Sequence, residues 1–133
     1  MRRTRLPSEH DVDPREISKR SFEFSVAVLR LAQQIGNALP ESVVRQLVNH
    51  GTRVGAGVAD AHGSGTHRGY VSGLAAARRS ARRAAFWLRL IGAAEGASQE
   101  LIEGLIEDAQ ALHTTLTALG AKAHQTKGPV ERD

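Results

Sequence analysis

Six histidines and a block of arginines are the residues of this chain whose chemistry could serve a site. His10, His50, His62, His67, His113 and His124 show no His-Glu-x-x-His spacing, and the Glu-x-x-His motif that faces inward in a di-metal bundle is also absent. His62 and His67 flank a glycine-rich stretch and could meet there, although loop histidines are ordinarily solvated. Gly63-Ser64-Gly65 could cradle a phosphate at a helix start. No strand precedes it and no Gly-Lys-Ser/Thr follows, so a flexible connection is the simpler account. The chain has no cysteine, which excludes disulfides, thiol catalysis and cysteine-ligated zinc or iron–sulfur sites. The sequence thus points to no catalytic residue, no metal and no cofactor.

The arginines are different. Arg78, Arg79, Arg82 and Arg83 form two i,i+4 pairs on adjoining rows of a helix, and Arg68 and Arg89 lie in the same arc. A row of guanidiniums suits phosphate, because cation–phosphate contacts release counterions and supply most of the affinity of non-specific nucleic-acid binding. Arg82 precedes Phe86 by four residues and Arg83 precedes Trp87 by four, a spacing that permits cation–π contact. The net charge of the 133 residues is only +4, but its placement is uneven. Residues 41–94 hold eight arginines against Glu41 and Asp60, a net of +6, whereas residues 95–124 set Lys122 against five carboxylates, a net of −4.

The element that must carry this face is the stretch from Tyr70 to Ile91. Tyr70, Leu74, Ala77, Ala81, Ala84, Leu88 and Ile91 recur at alternating spacings of four and three, the repeat of a bundle seam. Three of those seven are alanine, so a partner helix can come close. The arginines lie opposite, with Phe86 and Leu90 inside their arc and Trp87 at its edge. Towards its C-terminal end this helix is apolar nearly all round, and a helix of that kind is covered on more than one side.

Around it the chain divides into helices. Residues 1–16, with two prolines and few apolar side chains, read as a mobile arm. Phe24, Val28, Leu31 and Ile35 form one stripe of a first helix over about 17–37, with Phe22, Val26 and Leu29 beside it. Pro40 suits the start of a second helix over about 41–61, whose Gly51, Gly55 and Gly57 each cost about 1 kcal/mol against alanine and so imply close approach to another backbone. Ser64 or Thr66 caps the third helix. Gly96 ends it, Ser98 caps the fourth over about 99–122, and 125–133 reads as a disordered tail. No segment alternates as a strand does. The fold expected is an all-α, antiparallel up-and-down four-helix bundle over 17–124. The charged N-terminus is not a signal peptide and no run approaches a membrane span of about 20 apolar residues, so a soluble, cytoplasmic protein is expected.

The run Gly51-Thr52-Arg53-Val54-Gly55-Ala56-Gly57-Val58-Ala59-Asp60-Ala61, then Tyr70-Val71, then Phe86-Trp87-Leu88-Arg89-Leu90 resembles the bacterial four-helix-bundle proteins encoded in intervening sequences of large-subunit ribosomal RNA genes. Their relatives include the accessory variability protein of diversity-generating retroelements. The resemblance spans about residues 20–122. It implies a ring-shaped homopentamer, no enzymatic activity and, in the retroelement branch, binding of nucleic acid and of a reverse transcriptase. The third helix departs from the family pattern: Arg78-Arg79-Ser80-Ala81-Arg82-Arg83 stands where relatives commonly carry acidic residues, so a shared partner is not implied.

Two functions follow as expectations. One is a non-enzymatic, homo-oligomeric scaffold, pentameric as the resemblance implies, that binds RNA or DNA through Arg68, Arg78, Arg79, Arg82, Arg83 and Arg89 and assembles through Phe86, Trp87 and Leu90. It would serve a reverse transcriptase or another nucleic-acid enzyme. The other is an oligomeric protein–protein adaptor whose arginines meet an acidic protein surface, including the Glu100, Glu103 and Glu107 of a neighbouring subunit.

Overall fold

Asp13 and Pro14 start the first helix. The Asp13 carboxylate accepts the Arg15 amide at 2.9 Å, Pro14 brings a φ already set for the first helical position, and Glu16 adds negative charge to the first turn. In the computed structural model, which describes residues 13–94 and 96–126, α1 therefore runs Pro14–Ile35, followed by α2 Glu41–Gly63, α3 His67–Ala93 and α4 Gln99–Thr126. All four expected helices are present, and no strand occurs among the described residues. The outer boundaries of the bundle are corrected. The arm expected over 1–16 gives up residues 14–16 to α1, because Asp13 is its cap, and the tail expected over 125–133 gives up Gln125 and Thr126 to α4. The rest of both segments lies outside the described residues.

Gly36 stops α1 at Ile35, two residues before the expected end. Its φ of 53° is a left-handed conformation that glycine adopts without a Cβ penalty, and its amide donates to the Ala32 carbonyl at 3.1 Å. Thr66 rather than Ser64 caps α3, accepting the Gly69 amide at 2.9 Å. The Ser64 hydroxyl instead bridges its own connection, within 3.2 Å of the Ala61 carbonyl and 3.0 Å of the Thr66 carbonyl. Ser98 caps α4 through the Leu101 amide.

Small residues set how the helices meet. A methyl group added to Gly51 would lie 2.6 Å from a Val28 methyl, and one added to Gly55 would lie 2.8 Å from the Ser25 hydroxyl. On the other side of α2, a methyl on Gly57 would come within 2.9 Å of the Ala77 amide nitrogen, and one on Gly73 within 2.7 Å of the Ala61 backbone. In each pairing the numbers rise along one helix and fall along the other, so α1–α2 and α2–α3 are antiparallel. Gly92 against Ile102 continues the pattern to α4. The three interior glycines of α2 thus have their reason within the chain. Ser25 adds a polar pin: its hydroxyl accepts the Gly55 amide at 3.1 Å and lies 3.0 Å from the Gly51 carbonyl, bonding α2 from within the α1–α2 interface.

The helices form a square in which α1 and α3 are diagonal, as are α2 and α4; α3 packs closely on α2 and α4, while α1 meets α4 only sparsely. Leu74, Ala77, Ala81, Ala84, Leu88 and Ile91 of the α3 seam are all buried, as are Phe24, Val28, Leu31 and Ile35 of α1. No helix among the described residues is long and apolar enough to cross a membrane.

Candidate nucleic-acid interface

Along α3 the six candidate arginines do not make one patch. Arg78, Arg79, Arg82 and Arg83 share two adjacent turns, whereas Arg68 lies ten residues before Arg78, about 15 Å along the axis, and Arg89 six residues beyond Arg83, about 9 Å. Antiparallel packing then divides the central four. Gly57 opposite Ala77 and Ala61 opposite Gly73 set the α2–α3 register and place Arg53 of α2 level with Ala81, between Arg79 and Arg83. Arg53, Arg79 and Arg83 line a groove of about 310 Å³ together with His50 and Asp60, over a floor that includes Ala56, Gly57, Ala76 and Ser80. The other row, Arg78 and Arg82, leans towards α4 and His113, which feels both charges.

The electrostatics reflect this division. Burial, then the charges of Arg83 and Arg53, hold the His50 pKa below its ordinary value. Burial, then Arg78 and Arg82, do the same for His113. Both imidazoles therefore resist protonation in the presence of the guanidiniums. Ion pairs form locally elsewhere, Arg20 with Glu16 at 2.6 Å and Arg45 with Glu41 at 3.0 Å. No carboxylate among the described residues pairs with Arg53, Arg78, Arg79, Arg82, Arg83 or Arg89. Among the described residues, then, the acidic face of α4 does not pair with these side chains. Like charges repel at i,i+4, and no carboxylate among the described residues offsets that repulsion.

At the end of this ridge stand the aromatics. Phe86 is 53% exposed and Leu90 42%, whereas Trp87 is half-buried against the core. Phe86 meets Trp87 edge-on, with ring centroids 5.1 Å apart. The diagonal helix carries a second exposed apolar pair, Phe22 at 67% and Leu29 at 46%. That pair belongs to the secondary stripe of α1, which sequence periodicity identifies without showing that the pair stays exposed.

Near the α2–α3 connection, His62 and His67 do line one cavity, of about 680 Å³, with Tyr70, Pro14 and Ser18. His62 stacks on Tyr70 at 6.4 Å, and burial raises the Tyr70 pKa. Gly65 takes a φ of 76°, the turn conformation that lets this connection close. The loop keeps its Ser64 and Thr66 hydroxyls for itself, which leaves little for a phosphate.

His50, Arg53 and His113 are not part of the nucleic-acid face expected from the sequence, in which the two histidines figure only as residues without a metal-ligand spacing. Only the helix register brings the first two to the α3 arginines, and the sole sequence signal was a basic residue on the flank of the glycine-rich face of α2.

No protein-family model and no curated protein matches the chain. Among solved structures it is similar to a Bacteroides thetaiotaomicron protein of unknown function from the S23 ribosomal protein family, with a TM-score of 0.75 and 20% identity over 81% of this chain and 97% of that one. What the two proteins share at that level of identity is the all-helical fold.

Proposed function

We propose that the protein is a non-enzymatic, homo-oligomeric scaffold whose basic α3 surface binds RNA or DNA without sequence preference. The observation that carries this reading is the block Arg78, Arg79, Arg82 and Arg83, the first half-buried and the other three exposed, without a carboxylate partner among the described residues. Phosphates would supply what the fold withholds. Likeness in fold to an S23-family protein agrees with the family resemblance read from the α2 and α3 motifs. That family supports a closed ring of five subunits and service to a reverse transcriptase or another nucleic-acid enzyme. Titrating a fluorescent oligonucleotide at several salt concentrations tests the binding, which must weaken steeply as salt rises. Binding that is absent at low salt would leave the adaptor function in its place.

Assembly rests on Phe86 and Leu90, with the half-buried Trp87 behind them. Exposed aromatics of this size are costly in water, and desolvated aromatics dominate interface energies. Phe86→Ala combined with Leu90→Ala is expected to lower the mass measured by light scattering after size exclusion, with helical content unchanged. A wild-type monomer at micromolar concentration, or an unaltered mass in the double variant, would remove these residues from the interface.

A further inference from the structure

We infer that the groove between α2 and α3 is where a backbone phosphate of the bound nucleic acid sits, held by Arg53, Arg79 and Arg83 with His50 as a fourth donor. This inference rests on the nucleic-acid reading above and narrows it to one side of the α3 ridge. Three guanidiniums from two helices converge there on a recess of about 310 Å³, a geometry that gives a phosphodiester donors from more than one direction. Between them the lining is of small residues, Ala56, Gly57, Ala76 and Ser80, and its single carboxylate, Asp60, stands against three guanidiniums, so the recess keeps a net positive charge that suits an anion. The other row offers less: Arg78 and Arg82 are two guanidiniums on one helix, facing the helix that bears the acidic surface.

His50 gives the groove a second property. The groups that face it are Arg53 and Asp60 on its own helix and Arg79 and Arg83 on α3. In the free protein its pKa lies below the ordinary 6.5, through burial and through repulsion from Arg83 and Arg53, so it is neutral at pH 7. A phosphate among the guanidiniums offsets that repulsion and adds an acceptor, which raises the pKa. Binding then takes up a proton wherever the pH lies between the free and bound values. Affinity grows as pH falls through that window and is level on either side of it.

The test uses the full chain, a fluorescent single-stranded oligonucleotide, and AMP and inorganic phosphate as competitors. Arg53→Gln lies outside α3, yet it is expected to reduce the salt slope by about one and to weaken binding more than Arg78→Gln and Arg82→Gln together. His50→Gln is expected to reduce the rise in affinity between about pH 8 and pH 5, and His113→Gln to leave it closer to that of wild type. Circular dichroism confirms that each variant is folded. If Arg53→Gln binds as wild type while the Arg78→Gln, Arg82→Gln pair weakens binding, the groove is wrong and the nucleic-acid reading stands. If the wild-type chain does not bind the oligonucleotide at all, both fall. Displacement of the oligonucleotide by AMP at micromolar concentration would overturn the polymer as the source of the phosphate.

Discussion

Changing Arg78, Arg79, Arg82 and Arg83 together to Gln is expected to lower oligonucleotide affinity at low salt at least about a hundredfold, since four contacts worth only about 0.7 kcal/mol each reach that factor. The log–log salt slope should fall in magnitude by about 3 to 3.6, at about 0.7 to 0.9 for each of four phosphates no longer neutralised. All sequences should be affected alike, because phosphate contacts carry no base information. Stability should move the other way. Arg78 with Arg82 and Arg79 with Arg83 are like-charge i,i+4 pairs without carboxylate partners among the described residues, and removing such repulsion returns a few tenths of a kcal/mol per pair. A variant that binds worse while melting no lower has lost contacts, not its fold. Superimposable binding curves for the two proteins would eliminate the ridge as the binding site.

An equally large effect, on stability, is expected at the α2–α3 contact. Gly57→Leu should destabilise the fold by about 3 kcal/mol or more, the upper range for forcing volume into a packed interface, because even its Cβ would stand 2.9 Å from the Ala77 nitrogen. The obstacle is backbone, so no rotamer change relieves it. Gly57→Ala should also destabilise, although alanine is favoured over glycine in a helix interior by about 1 kcal/mol. Gly120 of α4 provides the contrast, since nothing lies within 4 Å of a methyl built there. Gly120→Ala should raise stability by about 0.5 to 1 kcal/mol. Denaturant unfolding of the three variants reads the signs directly, and a stabilising Gly57→Ala would mean that α2 and α3 do not approach as described.

How much of this could be seen in the chain itself differs from one feature to the next. Apolar periodicity placed every helix, and the alanines of α3 announced a close neighbour, because burial follows a 3.6-residue repeat that a linear sequence displays. Asp13 and Gly36 moved the ends of α1 because capping depends on one side chain or one φ angle, and either can outweigh the stripe. The division of the arginines was not legible. Arg79 and Arg83 lean towards α2 rather than α4 only because the bundle turns with one hand, and a mirror arrangement of the same four helices would exchange the two rows. Pairing Arg53 and His50 with them further requires the register fixed by Gly57 against Ala77 and Gly73 against Ala61. The exposed Phe22 and Leu29 show the converse limit, since periodicity marks a stripe as apolar without saying whether its cover lies in the same subunit.

The square of helices closes unevenly, and that bears on how the chain reaches its native state. Each extensive pairing joins helices that are consecutive in sequence, across connections of a few residues; only the sparse α1–α4 seam brings distant parts of the chain together. Short loops cost little entropy to close, and chains dominated by such neighbours fold fast. The α2–α3 hairpin, with two glycine–alanine backbone contacts and the deepest packing, is the natural nucleus. On that basis the terminal helices are expected to dock onto it from either side, with their mutual seam forming last and opening first. Amide protons should accordingly exchange most slowly along the facing sides of α2 and α3 and fastest where α1 borders α4. The groove of Arg53, Arg79 and Arg83 would then be built on the part of the molecule that opens least.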